Sequence, residues 1–187
     1  MKQQFEMLAA YNAWVNERLF AAAAQVPDES YRADLGAFFG SLHGTLNHLL
    51  LGDRIWLHRF TGEGDEPSEL DAILCDTLAE LHAARRAEDR RITRYIAGLA
   101  EADLAAPLTY RTTRNPTELE QPLAALLLHF FNHQTHHRGQ AHCLLTMLTG
   151  RAPSFDLLMC QRETGICVIR GQGGNFAAYE TRPAGAR

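Results

Sequence analysis

The run PLAALLLHFFNHQTHHRGQAHCLLTML, from Pro122 to Leu148, decides the fold. Leu126, Phe130, Leu144 and Leu148 recur at the spacing of one helical face, and Gly150 follows as a natural stop. Three more segments carry the same signature. One runs from about Gln3 to Gln25, with Phe5, Leu8, Tyr11, Val15 and Leu19 on one side and Pro27 beyond its end. The next runs from about Asp34 to Phe60, where Leu35, Phe38, Phe39, Leu42, Leu46 and Leu49 form a broad apolar face before the breaker TGEGDEP. A third begins near Ser68, which with Asp71 resembles a capping box, and continues through Leu74, Leu78, Leu81 and Ile92 to about Leu99. The pattern predicts an all-α protein, a four-helix bundle. Between its third and fourth helices lies PLTYRTTRNPTELEQP, residues 107–122, read as a short crossover that could form a small hairpin about an Arg-Asn-Pro turn. A short helix is expected from about Ser154 to Arg162.

A chain of 187 residues suits one domain. The reading places the bundle in residues 1–163 and a partly mobile extension in residues 164–187, where GQGG is a linker rather than a phosphate loop. A net charge of -4 gives no electrostatic case for nucleic acid. No apolar run reaches the roughly 18 residues of a membrane helix, and the N-terminus does not resemble a signal peptide, so the expected location is the cytoplasm. The four cysteines, Cys75, Cys143, Cys160 and Cys167, form no CxxC pair and read as free thiols.

Nine histidines remain to be explained. With His129 set at zero on a wheel of about 100° per residue, the apolar stripe of the last helix centres at about 90°, His137 at about 80° and His133 at about 40°. Those two therefore point inward, while His129 and His136 fall further round, toward solvent or a partner. Four residues apart, the His133 and His137 imidazoles stack over one turn and can converge on one ion. The same spacing also suits two histidines bonded to backbone or carboxylate at the edge of the core. A third ligand must come from another helix, and His43 and His48 flank the apolar face of the second one without the wheel choosing between them. Small residues beside His48, Thr45 and Gly52, leave room around it. The residues between His133 and His137 are Gln134, Thr135 and His136, so this is no HExxH motif, and paired Glu-x-x-His helices of di-iron proteins are missing. Arg138, at about 180°, is expected to pair with a carboxylate at a helix contact. Asp53 and Trp56 are read as packing residues of the second helix.

YNAWVNERLF (Tyr11 to Phe20), TLNHLLLGDRIWL (Thr45 to Leu57) and NHQTHHRGQ (Asn132 to Gln140) together resemble the DinB family of damage-inducible bacterial proteins, within the DinB/YfiT-like metalloenzymes. The likeness covers about residues 1 to 160. It implies a four-helix bundle, often a homodimer, with one divalent metal on three histidines, which by motif position are His48, His133 and His137. Gly139 and Gln140 match the pattern too, with close helix approach and a satisfied polar contact as their expected roles. Three imidazoles accept zinc or nickel first, and also iron, copper or manganese. Three neutral ligands leave open positions on the ion, where a bound water is acidified or a substrate thiol held as thiolate. Relatives that use bacterial low-molecular-weight thiols make a thiol transferase or related detoxifying enzyme, acting on a small molecule with such a thiol as co-substrate, the leading expectation. The alternatives are a metal-dependent hydrolase and a non-catalytic, stress-induced metal-binding protein. No catalytic residue beyond the ligands is assigned.

Overall fold

The computed structural model describes residues 1–65, 67, 69–113 and 116–166. Its α-helices are α1 (Lys2–Ala23), α2 (Asp28–Arg32), α3 (Leu42–Thr61), α4 (Leu78–Gly98), α5 (Leu123–Thr149) and α6 (Leu157–Glu163). A 3-10 turn over Glu101–Ala105 leads into β1 (Pro107–Arg111) and β2 (Glu118–Pro122), which pair antiparallel with Tyr110 opposite Leu119. The crossover is therefore a hairpin, although Arg114 and Asn115 of its turn lie outside the described residues. So do Ser68 of the expected capping box and, from residue 167 onward, most of the expected extension with its GQGG segment and Cys167. No helix among the described residues is long and apolar enough to cross a membrane.

Two helix starts differ from the sequence reading. The helix expected from Asp34 begins at Leu42, capped by the Ser41 hydroxyl, which accepts from the Gly44 amide at 3.0 Å. Gly36 and Gly40 adopt φ of 71° and 70°, so Leu35, Phe38 and Phe39 sit in a loop whose apolar spacing only imitates a helical face. That loop lies directly on α3, since a Cβ on Gly44 would come within 2.2 Å of the Phe39 carbonyl oxygen. The helix expected from Ser68 begins at Leu78, where Thr77 and Glu80 form the capping box. The preceding loop is instead held by α3. Asn47 accepts from the Leu74 and Cys75 amides at 2.9 and 3.0 Å, and His43 Nε2 donates to the Cys75 carbonyl at 3.0 Å. Those bonds give the backbone partners that a helix would otherwise have supplied.

The long helices α1, α3, α4 and α5 pack on one another, with α1 against α4 and α5, and α3 against α4 and α5. Their apolar core has two large clusters and a small third one of Tyr11, Val15 and Cys160. One large cluster is built around Phe5, Leu57, Ile92, Ile96, Leu127 and Phe130, the other around Leu19, Leu46, Leu50, Leu81, Leu144 and Leu145. Between them each helix contributes buried polar side chains: Asn12 and Asn16 from α1, Asp53 from α3, Arg85 and Asp89 from α4, Gln134 and Arg138 from α5. Arg85 pairs with Asp53 at 2.6 Å and Asp89 at 3.1 Å. Gln134 Nε2 donates to Asp53 at 2.6 Å, and both asparagines donate to Asp89 at 3.0 Å. Burial pushes the Asp53 carboxyl up to about 6 against the pull of Arg85. For Arg85, burial opposes the charge, but Asp89, Asp53 and Glu88 outweigh it and raise the pKa.

Arg138 is a correction. It is 3% exposed, its guanidinium donates to the Asn12 side-chain oxygen, and it lies 5.2 Å from the Tyr11 ring. Its contact is an amide that in turn holds Asp89, not a carboxylate. The cause is the width of the buried face of α5, which includes Leu127, Phe131, Gln134 and Leu145 beyond the stripe first chosen.

Replacing Arg85 by Met removes the guanidinium paired with buried Asp53, which is expected to cost roughly 3–5 kcal/mol. Urea unfolding at neutral pH measures it. The deficit should shrink as the pH is lowered, because an unpaired buried carboxyl takes up a proton more readily. A variant as stable as wild type would show that the ion pair is not what holds the helices.

Candidate metal centre

Three histidines meet where α3 and α5 cross beside the buried polar layer. One ring nitrogen from each of His48, His133 and His137 falls within 4.8 Å of the others, a group that could hold a metal ion. Tetrahedral nitrogens at roughly 2.0–2.1 Å from one ion are about 3.4 Å apart, so small side-chain rotations close the set. The two candidates for the α3 position separate clearly, because His43 is engaged with Cys75 on the far side of the loop while His48 faces α5.

Hydrogen bonds set which nitrogens face inward. His48 Nδ1 donates to the Leu70 carbonyl at 2.8 Å, and a carbonyl can only accept, so the Nε2 lone pair is turned to the cluster. His137 Nδ1 donates to Gln140 Oε1 at 2.8 Å, with the same result. The Nε2 atoms of His137 and His133 are 3.1 Å apart, a hydrogen bond in protein without metal that an ion would replace. Outer acceptors of this kind orient metal-binding imidazoles. Burial lowers the pKa of His48 to about 4, helped by the neighbouring His137. Burial, then the crowding of His137, His48, His129 and His136, lowers His133 to about 3. At neutral pH the cluster is a set of neutral donors, which is the form that binds a cation.

Packing completes the arrangement. A Cβ on Gly52 would come within 2.8 Å of His133 Cε1, so the absent side chain is what lets that ring lie against α3. Phe39 stacks on His48 with ring centres 3.8 Å apart and meets His137 edge-on at 5.5 Å, covering one side of the cluster. On the other side a cleft of about 330 Å³ opens between α3 and the hairpin, walled by Ile55, Trp56, Arg59 and Tyr110 and reaching His48 and His133.

Of the residues singled out from sequence, His129 and His136 are exposed on α5, as the wheel placed them. Gly52, noticed as a small residue one turn from His48, and Gln140, noticed as part of the family pattern, both touch the cluster. Gly139 does not serve close approach, since nothing among the described residues lies within 4 Å of where its Cβ would be. Phe39 and the Leu70 carbonyl carried no signal of their own: one lay in an apparent helix and the other is backbone.

A helical protein with three neutral histidines converging at the crossing of two helices has a group that could hold a metal ion. The model of the DinB family matches residues 1–170, and the chain belongs to that family. It is 30% identical over 148 residues to Protein DinB of Bacillus subtilis (strain 168), covering 74% of this chain and 82% of the relative.

Gly52→Ala is expected to push the His133 ring off α3, so that its NMR resonances shift while the unfolding midpoint moves little; an unmoved ring would refute the contact. Protein stripped of metal should be fully stable above the unfolded histidine pKa of about 6.5. It should lose stability progressively as the pH falls toward the depressed values of about 4 and about 3, because the unfolded chain then binds protons that the folded cluster refuses. In a His133→Leu variant that slope should be shallower, and equal slopes in urea melts from pH 7 to 4 would count against the assignment.

Proposed function

We propose that the chain is a metal-dependent enzyme of the DinB type, a four-helix bundle in which His48, His133 and His137 hold one divalent ion, zinc or nickel before iron, copper or manganese. The observation that carries this reading is the convergence of three neutral imidazole nitrogens at the head of an open cleft. When bound, the ion supplies a Lewis acid of charge +2 that stabilises a substrate thiol as its thiolate at neutral pH. Transfer of a low-molecular-weight thiol to a small electrophile is the reaction this favours. The Leu70 carbonyl and Gln140 hold two of the imidazoles in the tautomer that offers Nε2. Phe39 keeps water from one side, and the cleft receives the electrophile on the other. No carboxylate lines the described part of that cleft to serve as a general base, which favours an attacking thiolate over base-assisted hydrolysis. We further propose a cytoplasmic homodimer, a reading that rests on the likeness to the DinB family.

Elemental analysis tests the centre directly. Each of His48→Ala, His133→Ala and His137→Ala is expected to reduce bound metal to below about one-tenth of the wild-type content. Full retention in all three ends the proposal. Assay of the loaded enzyme with low-molecular-weight thiols and electrophiles, against simple esters and amides, separates transferase from hydrolase. A fold that collapses on chelation points instead to a structural, non-catalytic metal.

A further inference from the structure

We infer that Asn47 is a positioning residue of the histidine cluster: by closing the loop over residues 69–76 onto α3 it brings the Leu70 carbonyl to His48 Nδ1, and so fixes the tautomer in which His48 offers Nε2. The inference rests on the metal reading for its purpose, and on the hydrogen bonds alone for the tautomer.

The loop has little of its own to hold its shape. From Glu69 to Asp76 the chain forms neither helix nor strand. Among the described residues its one internal backbone–backbone hydrogen bond runs from the Ala72 amide to the Glu69 carbonyl at 3.5 Å, a length at which such a bond is weak. Arg32 Nη2 donates to the Asp76 carbonyl at 2.5 Å, and the Leu74 and Cys75 side chains pack against the core. The remaining hydrogen bonds to the loop among the described residues all come from α3, from His43, Asn47 and His48.

Asn47 is the most fully engaged of the three. Its exposure is 0%, and each of its two lone pairs and two N–H groups has a partner. Backbone amides only donate, so the atom that meets Leu74 and Cys75, at 2.9 and 3.0 Å, is Oδ1. Carbonyls only accept, so the atom that meets His43 and Cys75, at 3.1 and 3.2 Å, is Nδ2. Alanine provides neither set of bonds, while aspartate keeps the acceptor with the same reach.

Asn47 and His48 are neighbours on α3, and they hold the two ends of one short stretch of loop. Asn47 grips it at Leu74 and Cys75, and His48 meets it at Leu70, four residues earlier, at 2.8 Å. A neutral imidazole carries a single proton, and the Leu70 carbonyl keeps it on Nδ1. If the loop lifts, the proton is free to move to Nε2, where it occupies the lone pair that faces His137 and His133. Outer partners of metal-binding histidines act in this way, and losing one costs roughly 10–100-fold in metal affinity. The same bonds would also serve a loop that is merely structural, since His43, Arg32 and the core hold it as well. The test therefore has to read the His48 ring itself.

Long-range proton–nitrogen NMR on chelator-stripped protein shows which nitrogen of His48 carries the proton, and competition with a chelator measures zinc affinity. Wild type is compared with Asn47→Ala, Asn47→Asp and Ile92→Ala, the last of which opens the other half of the core. Wild type should hold the proton on Nδ1. Asn47→Ala should average it between the two nitrogens and weaken zinc binding about tenfold or more. Asn47→Asp, which keeps the acceptor for both amides, should stay within about threefold of wild type with its tautomer retained. Ile92→Ala should lose stability without moving the proton. A His48 ring unchanged in Asn47→Ala, or changed as much in Ile92→Ala or Asn47→Asp, would overturn the inference.

Wild type alone supplies a further measurement, which stands if Asn47→Ala does not fold. Coupling between the loop and the ion is reciprocal, so zinc should slow hydrogen exchange at the Leu74 and Cys75 amides by about tenfold or more. Exchange indifferent to bound zinc would also overturn the inference. Failure of wild type to bind zinc at all would fall on the metal reading, while the tautomer, read without metal, would still decide the role of Asn47.

Discussion

The ion pair between Asp53 and Arg85, with both side chains nearly inaccessible, is the contact on which the helical framework turns. Two charges leave water at a cost that their mutual attraction offsets only when the remaining donors and acceptors are also met. Here partners come from every long helix, Asp89 from α4, Gln134 from α5 and, through Asp89, Asn12 and Asn16 from α1, although Arg85 Nε and Gln134 Oε1 have no hydrogen-bond partner among the described residues. An apolar core alone tolerates helices sliding past one another by a fraction of a turn. A polar layer does not, because a shift of that size leaves several buried groups without partners at once.

That register fixes the histidines. Asp53 follows Gly52 directly, and Gln134 follows His133, so the hydrogen bond joining Asp53 to Gln134 sits beside the contact of the His133 ring with the Gly52 backbone. Sliding α5 against α3 would break the first and open the second. His48 is set from another direction, through the loop that Asn47 gathers over α3, which brings the Leu70 carbonyl to its Nδ1. The cluster thus depends on one buried bond between helices and one loop held by side chains of a single helix.

Much of this was legible in the sequence because it is periodic. Four long helices and the inward turn of His133 and His137 follow from the spacing of apolar residues, the hairpin was one of two readings of the crossover between the last two, and His48 was separated from His43 by the family likeness rather than by the wheel. What misled was apolar spacing without helical backbone. Phe38 and Phe39 continue the pattern of α3 beyond its start, yet Gly36 and Gly40 turn the chain and deliver Phe39 onto His48 instead. Arg138 does lie at a helix contact as expected, but α5 is packed by both α1 and α3 and buries a wider arc than its leucines mark, so the partner it meets is the Asn12 amide rather than a carboxylate. The Leu70 carbonyl has no side-chain signature at all, since any residue in that loop could have supplied it.

The polar layer also accounts for the character of the histidine cluster. Asp53 lies five residues beyond His48 on α3, near enough for a carboxylate to be considered as a further ligand. It is instead committed on both sides, to Arg85 and to Gln134. Asp89 is similarly held by Arg85, Asn12 and Asn16, and Glu88 by Arg91 at 2.9 Å. The acids of the interior are thereby kept on the α4 side, and the donors left facing the cleft are neutral imidazoles. A carboxylate among the ligands would lower the charge of a bound divalent ion by one and weaken its pull on a substrate anion. By occupying Asp53, Arg85 would leave the full charge of an ion held by the three histidines undiminished without touching it, so the arrangement that keeps the helices in register also leaves neutral donors alone at the cluster.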